Sequence, residues 1–186
     1  GYIRFRDKDL AAIKESEIRR IRWKHIAIVF QGAMNALNPV RRISWQIEEA
    51  IAVHEKTAID DARDRVDELL ELVGINPARK NDYPHEFSGG MRQRVMIAMA
   101  LACSPEIIIA DEPVTALDVM IQAQILELMK RLREELDISM ILISHDLSVI
   151  AETCEKVAIM YGGKLAEYGA AKDVIQDPQH PYTQGL

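Results

Sequence analysis

The strongest constraint on this chain is a set of short, uninterrupted apolar runs: Ile26 to Phe30, Ile107 to Ala110, Met140 to Ile143 and Val157 to Met160. Apolar side chains on consecutive positions of an extended chain point to both faces of a sheet, so these runs predict strands covered on both sides, as in a parallel sheet between helices. Asp146 to Glu155 lies between the last two runs. Val119 to Leu136 lies between the middle two, and there Ile121, Ile125, Leu128, Met129 and Leu132 recur at helical spacing. Strand, helix, strand order predicts a doubly wound α/β sheet, whose ligands sit beyond the carboxyl ends of the strands.

From about Ile43 to Ala102 the pattern changes to helices without strands, with Val66, Leu69, Leu70 and Val73 forming an apolar stripe that stops at Gly74 and Pro77. A helical subdomain over 38–102 is therefore expected inside a single domain 1–186, with 103–186 as the second part of the α/β core. Gly162-Gly163, followed by Lys164 to Tyr168, predicts a hairpin, because two glycines supply the positive φ of a tight turn. A chain of 186 residues is long enough to bury one sizeable core.

Charge narrows the partners. The 23 basic against 29 acidic residues leave a net charge of -6, which argues against a surface built for nucleic acid. Arg19, Arg20, Arg22 and Lys24 cluster beside Glu15 and Glu17, the pattern of a solvated helix face. Cys103 and Cys154 stand far apart and outside CxxC spacing, so neither a zinc site nor a disulfide framework is indicated, and a reducing cytosol is expected. No apolar run reaches the roughly 18 residues of a membrane span, so any membrane association is expected to go through a partner.

Chemistry concentrates in four places. Asp111 and Glu112 are adjacent carboxylates where a buried strand ends. Neighbouring strand residues face opposite ways, so one carboxylate can hold Mg²⁺ through water while the other orients or deprotonates an attacking water; a helix cap is the alternative reading of such a pair. In Phe87-Ser88-Gly89-Gly90-Met91-Arg92-Gln93-Arg94, Ser88 is a good N-cap, and the glycines let backbone N–H groups approach an anion. A plain capped helix is the rival there, weakened because glycine costs roughly 1 kcal/mol at a helical position. His145 and Gln31 each follow a predicted strand directly, and each alone would be an ordinary polar residue.

Taken together and in this order, these features resemble the ABC ATPase family. Gln31 matches its Q-loop, Ser88 to Met91 its signature motif, Ile107 to Glu112 its Walker B strand, Ala116-Leu117-Asp118 its D-loop and His145 its switch histidine. Tyr83-Pro84-His85-Glu86-Phe87, Met91 and His180-Pro181-Tyr182-Thr183 are similar to the branch of di- and oligopeptide importers, to which nickel importers are close relatives. The resemblance implies a P-loop NTPase-like α/β fold with an inserted helical subdomain, and ATP and Mg²⁺ as ligands.

It also implies roles and partners. Ser88, Gly89 and Gly90 would bind the γ-phosphate of an ATP held by a second ATPase subunit, identical or paralogous. Asp111 would bind Mg²⁺ through water, Glu112 would be the general base, Gln31 would contact metal and water, His145 would hold the γ-phosphate, and Asp118 would align the two sites. Two membrane permease subunits and, indirectly, an extracytoplasmic solute-binding protein are the further partners implied, with the chain on the cytoplasmic face of the membrane.

No GxxxxGK[ST] phosphate loop occurs in the sequence, and Gly1 is expected to fall just after the helix that such a loop begins. The chain is also expected to stop short of the family's C-terminal extension. It therefore reads as truncated at both ends, and hydrolysis by this chain alone is expected to be negligible. The alternative is a non-catalytic half that lends its signature motif to a complete partner. A DNA-repair or chromosome-structure ATPase is disfavoured, because the gap from Gln31 to Ser88, 88 − 31 = 57 residues, holds neither heptads nor cysteines.

Overall fold

The computed structural model describes residues 1–32, 36–55 and 59–186. Two compact units emerge, Gly1–Ile141 and Leu142–Leu186. The boundaries anticipated at 38 and 102 fall inside the first unit, and residues 56–58 of that helical segment lie outside the described residues.

In the first unit a short antiparallel pair, β1 (Arg4–Phe5) and β2 (Lys8–Asp9), precedes α1 (Glu15–Ile21). Next comes β3 (Ile26–Val29), which pairs in parallel with β4 (Ile107–Asp111), Ile26 opposite Ile107 and Val29 opposite Ala110. β4 is the middle strand of a three-stranded sheet completed by β5 (Ser139–Ile143). Ala27, Val29, Ile108 and Ala110 are buried, while Ile26, Ile28, Ile107 and Ile109 are only half-buried and Phe30 is 45% exposed, so cover on both faces is met on one face alone. The Met140 to Ile143 run departs further. Ile141 and Ile143 of β5 are 53% and 47% exposed, because nothing among the described residues covers that face of the strand.

Among the described residues, the elements between β3 and β4 are helices, as the periodicity predicts. In α2 (Ile43–Glu55), Ile43, Ile47 and Ile51 recur every four residues and are fully buried. In α3 (Ile59–Leu72), Val66, Leu69 and Leu70 face the same core, with Val73 just beyond. The helix α4 (Gly89–Leu101) is buried almost all round through Val95, Met96, Ile97, Ala98, Ala100 and Leu101, which marks it as the central helix of the unit. Finally, α5 (Val119–Leu136) turns Ile125, Leu128, Met129 and Leu132 inward and ends at Asp137, a left-handed residue with φ 51°.

Where α3 stops, three helices are tied together. Gly74 takes φ +74° and lets Ile75 N–H return to the carbonyl of Leu70 at 2.8 Å. Arg94 of α4 donates to the carbonyl of Val73 at 2.7 Å, and Arg131 of α5 donates to that of Leu72 at 2.8 Å. Two cations thus sit on the negative end of one helix, where its orphan carbonyls need donors.

The second unit is built on a hairpin. Here β6 (Lys156–Tyr161) pairs antiparallel with β7 (Lys164–Ala170) across Gly162 and Gly163, both at positive φ. The turn is the predicted one; the antiparallel pairing of β6 differs from the parallel arrangement expected of its apolar run. Val157 and Ile159 are buried while Met160 and Tyr161 are each 60% exposed, and the register slips between Ile159 and Met160. Val157, Ile159, Ile150 of α6 (Leu147–Thr153), and Ala171 and Val174 of α7 (Ala171–Gln176) form this unit's core.

The His180-Pro181-Tyr182 segment opens α8 (Pro181–Gln184) and is clamped onto the hairpin. The Glu167 carboxylate accepts the amide N–H of Gln179 at 2.9 Å and that of His180 at 3.1 Å, and the rings of Tyr182 and Tyr161 lie 4.4 Å apart. The Gln179 amide holds the Glu167 carboxyl below its ordinary value of 4.5.

Two outcomes follow from this packing. A carboxyl whose pKa is depressed on folding adds stability above its unfolded value and loses it as the pH falls through the folded one. The amides of Gln179 and His180 should therefore lose hydrogen-exchange protection as the pH drops below about 4.5, and Glu167→Gln should flatten that dependence. The second concerns Cys103, which is 5% exposed and whose thiol burial pushes up to about 11. At pH 8 only about 0.1% is thiolate, so iodoacetamide should modify native Cys103 at least about 100-fold more slowly than the unfolded chain.

Candidate functional site

β3 and β4 end together. Because Val29 lies opposite Ala110, Gln31 and Glu112, each two residues further on, leave the sheet at the same edge. Gly32, at φ +74°, turns the chain immediately after Gln31, which is exposed. Asp111 is the last residue of β4 and half-buried.

Glu112 does not continue the strand. It takes φ 48°, in the left-handed region, at a cost of about 1–2 kcal/mol for a residue with a side chain. Asp111 and Glu112 are therefore separated by a backbone reversal rather than by the simple strand alternation that the sequence suggested. The hydroxyl of Thr115 donates to the Glu112 carboxylate at 2.7 Å, and Thr115 N–H donates to the Glu112 carbonyl at 3.2 Å. A charged acceptor one turn from its donor offsets the backbone cost. A second left-handed residue, Ala116 at φ 66°, carries the loop on to Asp118.

Asp118 is exposed and caps α5: its carboxylate accepts Ile121 N–H at 3.0 Å. Gln122, one residue further, donates through its side-chain amide to the carbonyls of Val114 at 3.2 Å and Leu117 at 3.3 Å. The loop 112–118 is thus pinned at its start by Thr115 and at its end by Asp118 and Gln122.

Ser88 caps α4 as predicted, its hydroxyl accepting Met91 N–H at 3.3 Å. The turn before it is knitted by arginines. Arg92 donates to the carbonyls of Pro84 at 2.8 Å and Phe87 at 3.0 Å. Arg79 bonds Asp82 at 2.8 Å and the Glu86 carbonyl at 2.9 Å, with its guanidinium over the Phe87 ring. Tyr83 N–H donates to the Glu86 carboxylate at 2.7 Å, closing the turn from the other side. Ser88 is left exposed at the positive end of a thirteen-residue helix, a place that favours an anion.

The first unit therefore gathers Gln31, Asp111 and Glu112 at one sheet edge, and Ser88 to Gly90 and Asp118 at the first turns of two packed helices. His145 belongs to the second unit, exposed, two residues past β5 and directly before Asp146, the N-cap of α6. Thr115 and Gln122 were not singled out from sequence, and Ile121 only as one member of an apolar helical stripe. A Thr three residues after a strand-end Glu is the one signal that could have found Thr115, since that is the spacing of a side-chain-closed turn. Among the described residues no helix is long and apolar enough to cross a membrane, and no three His, Cys, Asp or Glu side chains converge as a metal cage.

A parallel strand pair whose carboxylates emerge at its carboxyl edge, joined to a helical insertion that presents a glycine-rich helix start, has the arrangement of a P-loop NTPase-like α/β fold. The chain belongs to the ABC transporter family, whose model matches residues 1–115. It is 53% identical over 188 aligned positions to the dipeptide transport ATP-binding protein DppD of Bacillus subtilis (strain 168), covering 100% of this chain and 56% of that protein. It is 53% identical, again over 100% of this chain, to the oligopeptide transport ATP-binding protein OppD of the same organism, of which it spans 52%. Among solved structures, the dimeric ATP-binding cassette MJ0796 in a post-hydrolysis state bound to ADP and Pi superposes with TM-score 0.76 at 28% identity, covering 90% of this chain and 72% of that one. The chain spans about half the length of the two relatives just named.

The Thr115 to Glu112 bond is testable without any ligand. Thr115→Val should cost about 1 kcal/mol in urea unfolding, allowing for the half-exposed site, while Thr115→Ser should cost less than half of that.

Proposed function

We propose that this chain is part of the ATP-hydrolysing subunit of a peptide importer. The observation that carries the reading is the common sheet edge at which Gln31, Asp111 and Glu112 emerge, beside a 112–118 loop that leads directly to the helix packed against Ser88 to Gly90. Peptides as the solute rest on the 53% identity to the two Bacillus subtilis proteins, named for dipeptide and oligopeptide transport.

In this reading Glu112 is the general base. Its carboxylate is the first side chain after the strand, set by a left-handed backbone and oriented by Thr115, so it is presented in one geometry to a water on the phosphate side. Asp111 would hold Mg²⁺ through water, as a hard oxygen acceptor at the strand end. Gln31 would contact the same water and metal, and His145, by its match to the family's switch histidine, would hold the γ-phosphate. Mg²⁺ would supply charge neutralisation of the leaving phosphate, and the chain's own residues supply orientation and the base.

Ser88, Gly89 and Gly90 complete the nucleotide site of a second ATPase subunit, with Asp118 aligning the pair; the dimeric cassette among the similar structures supports such pairing. Two membrane permease subunits are the route by which hydrolysis moves solute, with an extracytoplasmic solute-binding protein as the indirect partner. The chain then sits peripherally on the cytoplasmic face.

The decisive measurement is ATP turnover by the full-length protein reconstituted with its membrane subunits. Glu112→Gln should lower turnover by about 100-fold or more while ATP binding persists, as expected for loss of a general base. Unchanged turnover would remove Glu112 from that role.

A further inference from the structure

The glycine pair that opens α4 is read above as a seat for a partner's phosphate. The geometry inside this chain makes a second demand on it. A Cβ at Gly90 would lie 2.5 Å from the Cγ2 methyl of Ile121, and a Cβ at Gly89 would lie 3.3 Å from a Leu117 methyl. Gly90 itself is buried. Ile121 cannot swing aside, because a β-branched side chain within a helix is held to essentially one χ1 rotamer. The first turn of α4 is thus moulded onto the first turn of α5.

Ile121 is also the residue whose amide is capped by Asp118 at 3.0 Å, and Leu117, on the other glycine, is held by Gln122 at 3.3 Å. From there the loop runs back through Thr115 to Glu112. Between Ser88 and Glu112 there is accordingly one continuous path of close packing and hydrogen bonds, and of its two steric joints, Gly89–Leu117 and Gly90–Ile121, the second is the tighter.

We propose that Ile121 is a positioning residue whose methyl, seated on Gly90, fixes the spacing between the Ser88–Gly90 turn and the 112–118 loop. On the reading of the site given under Proposed function, that turn serves the nucleotide held by a partner and that loop serves the nucleotide held by this chain. The contact then makes the two move as one body, so that a shift at one nucleotide is passed to the other. Glycine at position 90 answers to packing within the chain as well as to the approach of an anion.

The test is a double-mutant comparison in the full-length protein, read in two ways. Without nucleotide, Gly90→Ala should lower the melting temperature by about 5 °C, and adding Ile121→Ala should recover at least half of that loss, because the intruding methyl is gone. Additive losses would overturn the inference whether or not the protein hydrolyses ATP. With the reconstituted complex, Ile121→Ala should lower kcat about tenfold with KM within about threefold of wild type, and Ile121→Val, which keeps a methyl on Gly90, should restore most of the rate. Wild-type kcat and KM in Ile121→Ala would also overturn it. A wild-type complex that does not turn over ATP would instead count against the proposed function, and the melting comparison would still decide the role of Ile121.

Discussion

The parallel pairing of β3 with β4 is the constraint on which the rest of the site depends. In a parallel ladder both strands leave the sheet at the same edge, and the register of Val29 on Ala110 makes Gln31 and the two carboxylates depart level with one another. A slip by one residue would move every side chain of β4 to the opposite face, burying Asp111 and turning Ala110 out. The alternation of buried Ile108 and Ala110 with half-buried Ile107, Ile109 and Asp111 is what forbids that slip. Core packing thereby sets where Gln31, Asp111 and Glu112 leave the sheet.

The helical layer adds a second constraint through α4. Buried almost all round, it packs against β3, against α2 and α3, and against α5. Its N-terminus is correspondingly fixed by the turn before it, where Arg79 donates to the Glu86 carbonyl and Arg92 to those of Pro84 and Phe87. Arg94, three residues after Met91, faces away from that end and holds the carbonyl of Val73 instead. Alternate arginines of one short segment thus tie α4 to the turn before it and to the end of α3, so the Phe87 to Arg94 segment is a structural joint.

Much of this was legible from periodicity. The helix Val119–Leu136, the stripe ending at Gly74, the Ser88 cap and the Gly162-Gly163 hairpin all rest on local rules, spacing, cap chemistry and positive φ, which a sequence carries openly. The Val157 to Met160 run by itself pointed the wrong way, because an apolar run of that length suits a parallel core strand and a hairpin strand equally, and only the Gly162-Gly163 turn decides. The backbone at Glu112 was not legible either. Strand alternation is the default for a residue following Asp111, and the left-handed turn becomes visible only with the Thr115 hydroxyl in place to hold it. Likewise the glycine pair suggested an open approach for an anion, whereas the methyl of Ile121 that demands glycine at 90 lies thirty-one positions away, 121 − 90, and leaves no local trace.

Strain explains why the 112–118 loop needs so many fastenings. Glu112 and Ala116 are both non-glycine residues at positive φ within five positions, and each would relax to an ordinary conformation if released. Glycine at either position would remove the cost but would also free the backbone, and at 112 it would remove the carboxylate. The chain keeps the side chains and offsets the strain with the Thr115 hydroxyl at one end and the Asp118 cap and Gln122 amide at the other. A loop held this way has few alternative conformations of similar energy, so on the proposed reading the Glu112 carboxylate would be ordered ahead of substrate. Preorganisation of that kind is where a fold can contribute most to phosphoryl transfer, since the chemistry itself asks the protein for position and charge rather than for a covalent partner.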